Sequence, residues 1–70
     1  MTISKATLLA LVKDRGSLSL KSIHTAFGVN PQDERDRVKV WRIGQGLAEL
    51  HRGGWIDLEV FNGQRYAEAR

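Results

Sequence analysis

Arg42 and Gln45 stand in a stretch whose aliphatic residues, Val40, Ile43, Leu47 and Leu50, recur at spacings of three, four and three. That period predicts a helix, and steps of about 100° per residue turn Arg35, Val38, Arg42, Gln45, Glu49 and Arg52 away from the aliphatic stripe. A guanidinium donates two parallel hydrogen bonds to a guanine edge, and a carboxamide pairs in the same way with adenine. Each such contact discriminates between bases by roughly 1–3 kcal/mol. Outward Arg and Lys are also what an ordinary solvated helix face carries, so the stripe as a whole says more than any single position.

Other chemistries find less support. His24 and His51 have no carboxylate, His or Cys beside them at a metal-ligand spacing, and the chain has no cysteine, so neither a metal site nor a thiolate nucleophile nor a disulfide is expected. His24 with Ser17, Ser19 or Ser22 lacks the strained turn and oxyanion donors of a hydrolytic triad; surface histidines and capping serines account for them. Gly44-Gln45-Gly46 falls inside a helical period, not after a strand, and is no phosphate loop. Seventy residues, 41% of them hydrophobic, suffice for one small core with little left to line a deep pocket, which favours a binding module over an enzyme with a cofactor or small-molecule ligand. The net charge of +3, from 11 Lys and Arg against 8 Asp and Glu, suits a polyanionic partner. The longest apolar run, Leu8 to Val12, is too short to span a bilayer, and no signal-peptide layout precedes it, so a reducing, cytoplasmic setting is expected.

The elements that must hold the stripe follow from the same periodicities. A first helix is predicted over Thr2 to Arg15, with Leu8, Leu11 and Val12 on its inner face, Thr2 or Ser4 as cap and Gly16 at its end. Ser17-Leu18 forms an extended link. Ser19 caps a second helix through Lys21 to about Phe27. Phe27-Gly28-Val29-Asn30 reads as a tight inter-helix turn with Val29 as an apolar plug. Asn30-Pro31-Gln32-Asp33 reads as the start of the third helix, running to about Arg52, although Asp33 to Arg37 could form a separate turn. Gly44 and Gly46 each cost about 1 kcal/mol there relative to alanine, so a helix packed closely against them is expected. Trp55 to Phe61 and Gln64 to Ala69 are strands joined at Asn62-Gly63. A three-residue loop with a bulge is preferred, which pairs Leu58 with Tyr66, puts Tyr66 on the core face and sets Glu59 against Arg65.

Helix, short strand, helix, turn, helix and two-stranded hairpin is the order of winged helix-turn-helix domains, and nearly all 70 residues resemble that family. Leu18-Ser19-Leu20-Lys21-Ser22-Ile23 resembles the family's extended link and capped second helix, and Phe27-Gly28-Val29 its turn. Ile43, Leu47 and Leu50, then Gly54-Trp55-Ile56 and Gly63-Gln64-Arg65-Tyr66, are similar to its third-helix core and wing. The resemblance implies an α+β fold, one domain over residues 1–70, and a third helix entering the major groove of DNA with Lys39, Arg42 and Gln45. Lys21 and Arg65 would flank that surface and hold phosphates. It further implies a regulator of transcription or a component of a nucleoprotein complex, similar to the small regulators of phages and plasmids. Over fewer residues, Asp33 to Arg37 and Leu47 to Gly54 resemble the N-terminal winged-helix domain of ribonuclease R-type exonucleases, whose catalytic barrels have no room here.

Two features weigh against a simple DNA reader. Asp33, Glu34 and Asp36 sit at the end of the third helix that would face phosphates, and Asp57, Glu59 and Glu68 outnumber the two arginines after Gly54; pairing with Arg35, Arg37 and Arg65 would soften the repulsion. Winged helices also bind proteins or RNA. Trp41 and Phe61 are either edges of the core or anchors for a protein partner, and Trp55 is expected to be structural. A charge of +3 permits few phosphate contacts, so a homodimer or another subunit is expected to assist. With no helix expected after Arg70 to pair copies, the first helix, the wing or a partner is expected to supply that surface.

Overall fold

The computed structural model describes residues 2–70. Ser4 starts the first helix, α1 (Lys5–Arg15): its hydroxyl accepts from the Thr7 amide at 3.2 Å, and the Thr7 hydroxyl accepts from the Ser4 amide at 3.0 Å. Two otherwise orphaned donors are satisfied reciprocally, as in a capping box. The helix buries Leu8 and Val12 and stops at Gly16. A short strand, β1 (Ser17–Ser19), follows, and Ser19 then caps α2 (Leu20–Ala26) by accepting from the Ser22 amide at 3.1 Å.

The connection after α2 is longer than the tight turn expected. It spans residues 27–36, and α3 begins at Arg37, not at Asn30, and runs to Arg52. Short polar side chains divert the backbone from the helix. The Asn30 carbonyl group of the side chain accepts from the Gln32 amide at 3.0 Å, Asp33 accepts from the Arg35 amide at 2.9 Å, and Asp36 reaches back to accept from the Asn30 amide at 2.9 Å. Residues Glu34–Asp36 form one 3-10 turn ahead of α3. Val29 is buried in this connection, as a plug.

The hairpin comprises β2 (Ile56–Phe61) and β3 (Gln64–Ala69), and the antiparallel sheet has the order β1-β3-β2. Its register differs from the bulged one expected. Asn62 and Gly63 both have positive φ, 52° and 76°, as a two-residue turn of the type that matches strand twist requires. Phe61 therefore pairs with Gln64, Glu59 with Tyr66 and Leu58 with Ala67. Tyr66 lies on the outer face, where its hydroxyl group is 3.3 Å from Gln64 Oε1; on the inner face a phenol would need a buried partner, and Ala67 fits there beside Leu18 and Leu58 without one. Arg65 stands opposite Val60, so the Glu59–Arg65 pair does not form. Asp57 is opposite Glu68, and Arg70 offsets that repulsion with a 2.9 Å bond from Nε to Asp57.

The core gathers Leu8, Val12, Leu18, Ile23, Ile43, Leu47, Leu50 and Ile56 between the helices and the inner face of the sheet, with Val40 packed at its margin. His24 is buried with them and is not the surface residue expected. Desolvation lowers its pKa below 6.5, so the fold favours neutral imidazole. Below pH 6.5 the unfolded chain takes up a proton that the native state resists, and stability falls until the lower native pKa is passed. The melting temperature of the native sequence should therefore drop more between pH 7 and pH 5 than that of His24→Gln. Parallel melting curves across that interval would contradict the assignment.

Candidate nucleic-acid interface

The α3 helix is one uninterrupted rod from Arg37 to Arg52. One side is held by the close approach of α1: Gly46 is buried, and a Cβ there would collide with the Leu8 side chain. Glu49, on the same flank, reaches Lys5 of α1 at 3.8 Å. Gly44 faces the other way, under the hairpin, and a Cβ there would meet nothing within 4 Å. The expectation of close packing thus holds for Gly46 and fails for Gly44. With both flanks fixed, the exposed arc runs from Arg42 beside α1, through Val38, Gln45 and Arg52, to Trp41 and Ala48.

Arg42 and Gln45 are exposed and adjacent on this arc, and neither makes an ion pair or side-chain hydrogen bond among the described residues. Lys39 is also exposed, in the first turn of α3, but its ammonium lies 3.8 Å from Asp36. Lys21 is exposed near the start of α2 with no acidic partner among the described residues. Arg65 lies on the inner side of the hairpin and lines a groove shared with Leu20 of α2 and Gly44 of α3. The structure therefore brings Arg42 and Gln45 together on α3 and places Arg65 over the Gly44 flank.

The acids ahead of α3 are largely engaged. Arg35 binds Asp33 at 3.0 Å and Arg37 lies 4.0 Å from Glu34. The Arg35 guanidinium and then its backbone amide hold the Asp33 carboxyl below its ordinary pKa. Arg65 takes no part in such pairing among the described residues.

Aromatic exposure is greater than a core-edge role would give. Trp41 is 63% exposed toward the Gly44 end of the arc, one turn from Val38, and Phe61 is 65% exposed at the hairpin turn. Trp55 precedes β2 and lies against Gly53, with Lys13 Nζ 5.8 Å from its ring centroid, a cation–π arrangement that ties α1 to the end of α3. Sequence reading missed the groove beneath the hairpin. It places Ile56, Leu58 and Val60 on one face, but only Ile56 is buried; Leu58 and Val60 stand over an open groove that the side chains of α2 and α3 do not fill.

Among the described residues no group of three or more His, Asp or Glu could hold a metal ion, and no helix is long and apolar enough to cross a membrane. Comparison with protein-family models, with curated proteins and with solved structures finds no match to this chain. The fold shown is α+β, with three helices and a three-stranded antiparallel sheet.

Proposed function

We propose that this chain is a winged helix-turn-helix DNA-binding protein, a regulator of transcription or part of a nucleoprotein complex, with α3 in the major groove and the hairpin as its wing. The observation that carries the reading is the pair Arg42 and Gln45, without side-chain partners among the described residues, on the outer side of a helix whose opposite side is fixed in the core. Arg42 and Gln45 read base edges. Lys21 at the start of α2 and Arg65 on the wing neutralise phosphates, and Lys39 joins them by exchanging Asp36 for the backbone. The element order and the β1-β3-β2 sheet suit this arrangement.

Exposed Val38 and Trp41 beside Arg42 favour a second reading, in which the same arc docks a protein. Titration of labelled random duplex, single strand and RNA at several salt concentrations separates the two. A DNA reader binds duplex best, and its log affinity falls with log salt at a slope of about −0.9 per neutralised phosphate. Three or four such contacts would give a weak complex. Binding that ignores salt, or is absent, would favour the protein partner.

A further inference from the structure

The free edge of the hairpin carries a second surface, which neither needs nor excludes DNA on α3. The two-residue turn makes Phe61 and Gln64 the first hydrogen-bonded pair, so Asp57, Glu59 and Phe61 direct their backbone groups at β3. The bond from the Arg70 amide to the Trp55 carbonyl at 3.4 Å continues this alternation. Leu58 and Val60 therefore aim their amides and carbonyls at the outer side of β2, where no other strand pairs among the described residues. Such an edge is a template for an added strand. Ile56 is buried at one end, while Leu58 is 40% and Val60 71% exposed. Beneath them runs an open, largely apolar groove of about 370 Å³, floored by Leu20, Ile23, Gly44 and Leu47. On the opposite face of the same strand stand Glu59, with no ion-pair partner among the described residues, and Asp57, already held by Arg70 at 2.9 Å.

From these features we infer that the β2 edge docks an extended segment of a partner protein in which apolar residues alternate with lysine or arginine. The added strand bonds to the Leu58 and Val60 backbone, its apolar side chains continue the inner face over the groove beside Arg65, and a cation on its outer face lies beside Glu59. Charge disfavours a second copy of this chain paired antiparallel through the same edge. Antiparallel pairing of two β2 edges must match even-numbered residues with even, and the two registers that pair more than three residues set Asp57 against Glu59 or Glu59 against Glu59. Like charges directly opposite each other are destabilising.

The test uses two blocked eight-residue peptides, one alternating valine with lysine and the other valine with glutamate, titrated into the 15N-labelled chain. The lysine peptide should shift the Leu58 and Val60 amides and protect them from exchange, and bind at least about tenfold more tightly than the glutamate peptide. Val60→Pro removes an amide that no internal bond uses and should abolish docking while leaving the core intact. Glu59→Lys should reverse the preference between peptides, and settles the matter if the proline variant does not fold. The inference is overturned if neither peptide shifts those amides, if both do so equally, or if the same amides are protected by self-association of the chain or by duplex DNA instead.

Discussion

Gly46→Ala should destabilise the fold by about 1–3 kcal/mol, whereas Gly44→Ala, two residues away on the same helix, should stabilise it by up to about 1 kcal/mol. Both changes improve helix propensity equally, so their opposite signs isolate packing. A methyl group at Gly46 enters the space of Leu8, which is fully buried and has no solvent to move into. At Gly44 the methyl points into the open groove. For a chain of this size each kcal/mol moves the melting temperature by roughly 4–8 °C, so the two variants should separate clearly in thermal melts. The cause can be isolated further in a Leu8→Ala background. That change alone costs about 2–5 kcal/mol by leaving a cavity, but Gly46→Ala should then become neutral or stabilising. Two stabilising glycine replacements, or a clash that persists without the Leu8 side chain, would contradict the α1–α3 contact.

That contact was half legible in the sequence. Two glycines inside a helical period call for a close neighbour, but periodicity alone does not tell which of them meets it, because the answer depends on where α1 crosses. Local signals carried furthest where the physics is local. Ser4 and Ser19 as caps, Gly16 as terminator, and Ile43, Leu47 and Leu50 as the buried stripe follow from hydrogen-bonding and spacing within a few residues. The start of α3 was open between Asn30 and a separate turn over Asp33 to Arg37, because Asn30, Pro31 and Asp33 suit a helix N-terminus and a turn equally well; the side-chain bonds of Asn30, Asp33 and Asp36 decide for the turn. The hairpin register follows from Asn62-Gly63 closing as a two-residue turn, and it is reinforced across the sheet where Ala67, not Tyr66, comes beside Leu18 and Leu58. Of the interface residues, Arg42 and Gln45 could be placed outward from period alone. The engagement of Lys39 by Asp36, the position of Arg65 inside the hairpin and the exposure of Trp41 and Val60 all depend on tertiary arrangement.

Arg42→Ala should weaken binding to the preferred duplex by roughly 5- to 150-fold, the equivalent of one lost bidentate base contact, and relax the choice of base at one position. Lys21→Ala should act differently. A lysine on a phosphate carries no sequence information, so its loss should lower affinity for all duplexes alike and reduce the salt slope by about one. Both side chains are exposed and without ion-pair partners among the described residues, so neither replacement should alter the melting temperature by more than the small change usual for surface sites. Gln45→Ala should resemble Arg42→Ala at a neighbouring base pair, given their adjacency on the helix.

The measurement that bears most directly on α3 as a reading helix is the affinity spectrum of the native chain, Arg42→Ala and Lys21→Ala over one library of duplexes at two salt concentrations. A flattened preference for the Arg42 variant, beside a uniformly lowered but unflattened one for the Lys21 variant, is the expected result. Spectra that match the native one in both variants, or a native chain with no preference and no response to salt, would remove DNA reading from the outer face of α3.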